Sequence, residues 1–419
     1  MEVEIKRDYY LNQLIARMDN GLIKIVTGIR RCGKSYLLRT LFKKYLKDQG
    51  ISEDHIIEMA FDLYDNIEFR DPAVFYPWAI KQIEDGEKYY FLLDEVQLLG
   101  DFVSVLNGLA DKKNCDVYVT GSNAKFLSRD IATEFGGRGD EIHMYPLSFA
   151  EFMTVYDGHY YDGWNEYITY GGIPIIVLAE TDDQKIALLD NLFKETYIRD
   201  IVVRNKIRNA GEMEALLDIL SSAIGSLTNP NKLQKTFRSV NQSKITATTI
   251  TKYIEYLKDS FLIEEAKRFD IKGKSYIGTP MKYYFMDMGL RNARLNFRQM
   301  EVTHSMENVI YNELRKRGFN VDVGNITVIE SGKDGKAVKK QLEVDFICNK
   351  GSKKYYIQSA YSLETEEKTA QEIRPFKKIH DSFKKIVITS NTPKPFYNDE
   401  GILIMNVFDF LLKPDSLEN

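Results

Sequence analysis

The sequence predicts an α/β chain: a parallel sheet built on a phosphate-binding loop comes first, and smaller helical and mixed units follow. Three observations predict it. Gly28-Ile29-Arg30-Arg31-Cys32-Gly33-Lys34-Ser35 has the spacing of a phosphate-binding loop, two glycines around four residues and then Lys-Ser. The stretch 22–27 before it has the β-branched content of a buried strand, and 36–46 after it has the apolar spacing of an amphipathic helix. Finally, Tyr89-Tyr90-Phe91-Leu92-Leu93-Asp94-Glu95 is an apolar run of strand length that ends on two carboxylates, as a buried parallel strand does when its carboxyl end opens onto a nucleotide.

These residue types divide the work of phosphoryl transfer. Glycines let backbone N–H groups curl around a triphosphate, and the following helix adds its positive end. The cofactors expected are ATP and Mg²⁺. Gly28, Ile29, Arg30, Arg31, Cys32 and Gly33 form the cradle, Lys34 reaches the β/γ-phosphates, and Ser35 with Asp94 holds the metal. Glu95 is the base or orienter for attacking water, because transfer needs an in-line nucleophile beside a neutralised phosphate.

Composition limits the remaining readings. With 419 residues, two to four domains are expected; 44% hydrophobic and 28% charged residues describe a soluble, folded chain. A net charge of −4 argues against attraction of the whole protein to nucleic acid but not against a local basic face. Three cysteines, Cys32, Cys115 and Cys348, have no paired spacing, which points to a reduced cytoplasmic setting. No apolar run is long enough to span a membrane, so no membrane partner is expected. None of His55, His143, His159, His304 and His380 has a metal-spaced partner, and all five read as ordinary.

In chain order, 9–18 reads as a helix, 56–62 as a strand, 73–83 as a helix, 101–109 as a helix and 116–120 as a strand. The last of these delivers Gly121-Ser122-Asn123 to the nucleotide edge, with Asn123 as candidate sensor of the γ-phosphate. A helix begins at 124, a glycine stretch with Arg138 breaks it, and 140–146 reads as a further strand. Arg138 has two readings of equal standing: an arginine that reaches a phosphate, here or on a neighbouring subunit, and a solvated loop arginine.

At this point the chain resembles a family. The loop with its Gly-Ile-Arg-Arg opening, Leu93-Asp94-Glu95-Val96-Gln97, Thr120-Gly121-Ser122-Asn123, Pro146-Leu147-Ser148-Phe149-Ala150-Glu151-Phe152, Tyr170-Gly171-Gly172-Ile173-Pro174 and Tyr197-Ile198-Arg199-Asp200-Ile201 look like prokaryotic AAA-type ATPases with a C-terminal domain of unknown function. The resemblance covers nearly the whole chain. It implies the same nucleotide loop, metal and water residues and sensor, and it leaves the biological role open.

Residues 161–205 read as a helical lid, in which Arg199 and Arg204 are either partners of Asp200 or nucleotide sensors. Helices over 212–224, 231–237 and 246–257, then two strands over 261–269 and 282–286, make a winged helix. Its third helix offers Thr248, Thr249 and Lys252 to a DNA groove, although winged helices also serve as packing modules.

From 291 on, a helix with Glu307, strands 341–347 and 354–360 and a strand 385–389 resemble the restriction-endonuclease-like core. In active members an acidic helix residue, a strand Asp and an acidic-x-Lys gather Mg²⁺ at a phosphodiester. Glu307 and Asp345 match; Gln358-Ser359-Ala360 stands where acidic-x-Lys is expected, so Gln358 offers only a carbonyl and no lysine remains. The expected architecture is therefore a P-loop NTPase parallel sheet (1–160) with a helical lid (161–205), a winged-helix domain (206–290) and a degenerate restriction-endonuclease-like domain (291–419). The expected activity is ATP hydrolysis, with a nucleotide-gated protein-binding scaffold of slow turnover or an ATP-licensed DNA nuclease as the alternatives; DNA, a protein partner and a second copy are the open choices of partner.

Overall fold

The computed structural model describes residues 4–121, 135–240, 243–331 and 337–418. They form two units, Met1–Pro146 with Asp259–Phe261, and Leu147–Lys258 with Leu262–Asn419.

The first unit is a five-stranded sheet of β1 (Ile23–Thr27), β2 (Ile56–Ala60), β3 (Tyr89–Asp94), β4 (Cys115–Thr120) and β5 (Gly139–His143). Its order is β2-β3-β4-β1-β5, and every pairing is parallel. Each residue of β1, β3 and β4 is buried, the mark of strands covered on both faces, and this is why their sequences read as continuous apolar runs. Ile25, Phe91, Leu93, Val117 and Val119 pack with Phe61 and Phe75 into one core. Since parallel strands end together, β1, β3 and β4 deliver Gly28, Glu95 and Gly121 to one edge. Helices flank the sheet at Lys34–Asp48, whose middle six residues are wound as a π-helix, at Pro72–Gln82 and at Phe102–Ala110. Asp71 caps the second of these by accepting from Ala73 N, and Pro72 follows it at the first helical position. Most predicted bounds here lie within two residues of the observed ones; the helix expected at 9–18 ends at Ile15 and the strand expected at 140–146 ends at His143.

The second unit opens with short helices, Phe149–Met153, Tyr160–Tyr170 and Asp182–Asn191 among them. Ser148 and Glu151 make a reciprocal capping box at the first. The segment expected as a lid clusters with the C-terminal residues: Asn292 Nδ2 donates to Ile168 O (2.8 Å) and Thr169 O (2.9 Å), and Asp287 accepts from Gly172 N (2.7 Å). Burial pushes the Asp287 carboxyl up to about 6, against the pull of the Gly172, Leu290 and Gly289 N–H groups.

Helices Ala210–Ser222, Pro230–Val240 and Ala247–Asp259 come next, and Thr228 bridges Met281 in antiparallel fashion with both N–H···O bonds at 2.8 Å. An eight-stranded mixed sheet completes the unit: β6 (Ile263–Asp270), β7 (Ser275–Phe285), β8 (Asn320–Ser331), β9 (Ala337–Lys350), β10 (Lys353–Ala360), β11 (Lys384–Thr389), β12 (Phe396–Tyr397) and β13 (Leu403–Asn406), in the order β12-β13-β11-β10-β9-β8-β6-β7. The ribbon β6–β7 is thus continuous with the C-terminal sheet. It pairs in parallel with β8 through Arg268↔Val323 to Asp270↔Asn325, and Arg268 donates to Asn325 Oδ1 (2.5 Å) and Gln341 Oε1 (3.0 Å). The expected boundary at 290/291 falls within the helix Met288–Arg294, and the sheet has strands on both sides of it.

Strand β8 was absent from the sequence expectation. Its alternation is present but changes phase, with Val321 and Val323 buried on one phase and Ile326 and Val328 on the other. The slip falls at a bulge between Asp322 and Gly324, where a Cβ on Gly324 would lie 2.8 Å from Val344 Cβ. Among the described residues no helix is long and apolar enough to cross a membrane.

Candidate functional site

The loop Gly28–Ser35 lies between the carboxyl end of β1 and the helix from Lys34. Gly28 (φ 139°), Arg31 (φ 65°) and Gly33 (φ 101°) all have positive φ, which turns successive N–H groups inward. Ile29 and Cys32 are buried, Arg30 is half-buried and Arg31 is exposed. Lys34, 4% exposed, folds its ammonium back onto the loop and donates to Gly28 O (2.9 Å) and Ile29 O (3.0 Å).

Ser35 and Asp94 meet as expected, with Ser35 Oγ donating to Asp94 Oδ1 at 3.0 Å. Thr120, at the end of β4, also donates its hydroxyl to that oxygen and accepts Glu95 N at 3.0 Å. A single threonine thus ties the acidic strand end to the neighbouring strand. Its role was missed because a threonine ending a strand carries no signal of its own. Burial pushes the Asp94 carboxyl above its ordinary range, while the two hydroxyls and Arg39, 3.8 Å away, pull it back. Glu95 has φ 51°, and Gln97 Nε2 donates to its Oε2. The hydroxyl and carboxylate oxygens of Ser35 and Asp94 are hard donors, the class Mg²⁺ requires, beside a loop packed so closely that a Cβ at Gly28 would lie 2.1 Å from Met144 O. The residues fit the group.

Two further residues brace the loop from outside. Arg7 is 1% exposed and donates to Cys32 O (3.2 Å) and Tyr145 O (2.5 Å), while Tyr145 N donates to Tyr10 OH (3.0 Å). Thr27 Oγ1 donates to Glu141 Oε1 (2.6 Å) and lies 3.0 Å from His143 Nδ1. No motif marks either brace, since each joins residues more than 110 positions apart or a lone arginine to a backbone carbonyl.

Asn123 lies outside the described residues. Arg138 is exposed at the amino end of the sheet, where its carbonyl accepts from Ile23 N at 2.8 Å. The length of β1, roughly 16 Å at about 3.3 Å per residue, separates it from its own loop. It does not join the phosphate site of its own chain. Arg204, in the expected lid, pairs with Asp200 at 2.6 Å along one helix turn.

In the second unit the expected acidic pair does converge. Glu307, on the helix Val302–Lys316, and Asp345, on β9, both face Lys282 of β7: Lys282 Nζ is 2.8 Å from Glu307 Oε1 and 3.6 Å from Asp345 Oδ1. Gln358 Oε1 accepts from Asp345 N at 3.3 Å. The place of the acidic-x-Lys pattern holds no lysine, as expected from the sequence; a lysine reaches the acidic pair from β7 instead, 63 positions before Asp345, where spacing rules have no purchase. Burial pushes the Asp345 carboxyl up, and Lys282 beside it pulls it back. Among the described residues no group of three or more His, Cys, Asp or Glu is arranged to hold a metal.

Of the expected groove contacts, Thr248 and Lys252 are exposed; the Thr249 hydroxyl lies 3.0 Å from that of Thr246, which caps the helix by accepting from Thr249 N at 3.2 Å.

A family model described as "AAA domain" matches residues 20–153, and one described as a domain of unknown function (DUF8612) matches residues 161–301. An uncharacterized protein of Haemophilus influenzae is 34% identical over 418 residues, covering 98% of this chain and 99% of its own length. A second, from Methanocaldococcus jannaschii, is 29% identical over 403 residues, covering 92% of this chain and 85% of its own length. Among solved structures, the Aeropyrum pernix ORC1 protein in complex with DNA is 12% identical, covers 71% of this chain and 94% of that one, and has a TM-score of 0.28, at which the likeness carries no argument.

Proposed function

Because the chain belongs to the same family as the Haemophilus influenzae relative and carries an AAA domain, we propose that it is an Mg²⁺-dependent ATPase whose nucleotide state controls a winged-helix and nuclease-like C-terminal region. The single observation that carries this is the convergence of Lys34, Ser35, Asp94 and Glu95 at one sheet edge. Mg²⁺, when bound with ATP, supplies positive charge at the phosphates. Lys34 exchanges its two loop carbonyls for phosphate oxygens, Ser35 and Asp94 hold the ion, and Glu95 orients and deprotonates water. Asn123 senses the γ-phosphate, and Arg138 serves a neighbouring subunit if it serves any phosphate at all. ATP turnover, assayed with and without DNA, tests the reading; no hydrolysis in either condition would replace it with a nucleotide-gated scaffold that acts on a protein partner.

DNA is the partner we favour for the winged helix. Three helices, a bridging strand residue at Thr228 and the β6–β7 ribbon support that architecture. The exposed Lys232, Lys235, Arg238, Lys244, Lys252, Lys272 and Lys274 make its surface basic although the chain as a whole is acidic. Lys252→Glu is expected to weaken DNA binding several-fold and reduce the salt slope by about one counterion. A gel-shift titration at several salt concentrations checks this, and an unchanged slope would return Lys252 to a solvated helix face.

The nuclease-like part is read as non-cutting. DNA and RNA incubated with the protein and Mg²⁺ or Mn²⁺ are expected to stay intact. Cleavage by the parent that Asp345→Ala abolishes would overturn this.

A further inference from the structure

Lys282 is 3% exposed, at the start of the buried end of β7, where a lone ammonium would not be tolerated. It survives because three carboxylates from two elements surround it. Its Nζ lies 2.8 Å from Glu307 Oε1, 2.8 Å from Glu343 Oε1 and 3.6 Å from Asp345 Oδ1. The ammonium donates a hydrogen bond to Glu307 Oε1, and Glu343 and Asp345 compensate its charge as ion pairs. Outer partners hold two of these carboxyl groups: Tyr284 OH donates to Glu307 Oε1 (2.7 Å), and Ser359 N donates to Asp345 Oδ2 (2.8 Å).

A lysine in such a cluster has two chemical uses. One is to stabilise charge on a phosphodiester, which requires an ammonium open to a solvent-borne phosphate. The burial of Lys282, together with Glu307 (6% exposed), Asp345 (7%) and Gln358 (9%), rules against it. The other is to be the cation itself. Oxygen-to-nitrogen distances of 2.8–3.6 Å are those of an ammonium, wider than the roughly 2.0–2.6 Å of Mg²⁺ or Ca²⁺ bonds, so the carboxylates are spaced for the lysine they hold.

We propose that Lys282 is a built-in cation, standing between Glu307, Glu343 and Asp345 where a divalent ion would otherwise be held, and that removing its ammonium turns the cluster into a divalent-cation site. The inference rests on the geometry of the cluster and not on the nuclease-like reading of the fold.

The test measures Mn²⁺ uptake by the nucleotide-free full chain, using electron paramagnetic resonance of the free ion. The parent, Asp345→Asn, Lys282→Ala and Lys282→Ala with Asp345→Asn are compared. The parent and Asp345→Asn are expected to take up Mn²⁺ equally, since any shared uptake belongs to other sites. Lys282→Ala is expected to bind one further equivalent at least tenfold more tightly than the parent, to melt at a higher temperature with Mn²⁺ than without, and to lose both on addition of Asp345→Asn. Uptake by the parent that Asp345→Asn abolishes would overturn the proposal, because an ion would then share the cluster with the ammonium. A folded Lys282→Ala with no added uptake would overturn it too. If Lys282→Ala is unfolded without metal, refolding on addition of Mn²⁺ supports the proposal and failure to refold counts against it.

Discussion

Glu95→Gln is expected to bind ATP as the parent does and to lose at least about 100-fold in hydrolysis, the low end of what a positioned general base contributes. The geometry separates binding from chemistry. Glu95 is fixed by its backbone N–H on Thr120 and by Gln97 at its carboxylate, while the phosphate-facing groups sit on the loop after β1. Replacing its carboxylate with an amide leaves the shape and the Gln97 contact partner in place but removes the basic oxygen. Lys34→Ala should do the reverse at the first step, weakening ATP binding by about 10- to 100-fold through loss of a charged hydrogen-bond donor. Nucleotide titration and single-turnover hydrolysis on the same preparations separate the two. If Glu95→Gln hydrolysed ATP at the parental rate, the base would have to be another group, and Asp94, buried and already engaged by two hydroxyls, would be the next to test.

The nucleotide half was legible because its signals are local. A loop of eight residues names its own ligand, and a strand buried on both faces writes itself as an apolar run whose last residues mark the site edge. What escaped was held by contacts between distant residues. Thr120 became visible only when β4 was seen to lie beside β3, and Arg7 only when the N-terminal segment was seen against Cys32. In the second unit the acidic positions 307 and 345 were legible by resemblance, whereas Lys282 was not, since a lysine in an apolar strand looks like an error in the pattern until its three carboxylates are in view. Strand β8 was hidden by a bulge that shifts its alternation midway. The ribbon was recognised, but its membership in the larger sheet depends on parallel pairing with β8, which leaves no trace in spacing.

Gly28→Ala is expected to abolish measurable ATP binding while leaving the fold of the first unit in place. Two penalties act at this position together. Its φ of 139° lies in a region that residues with a side chain rarely adopt, and a Cβ built there would lie 2.1 Å from the carbonyl oxygen of Met144. Met144 cannot retreat, because its N–H is bonded to Thr27 O at 2.8 Å and its carbonyl lies 3.5 Å from the Cys32 thiol. The loop must therefore move by about 1 Å or more to restore van der Waals separation. A displacement of that size takes the Gly28 carbonyl from Lys34 and opens the curl of N–H groups, so affinity should fall at least about 100-fold, the loss of roughly two charge-assisted hydrogen bonds. Gly21→Ala supplies the control. It too has positive φ, 74°, but nothing lies within 4 Å of its added Cβ. It should cost about 1–2 kcal/mol of stability through backbone strain alone and leave ATP affinity unchanged. Fluorescent-nucleotide titration with thermal melting reads both variants; equal affinity losses in the two would mean that global destabilisation, not the contact with Met144, governs the loop.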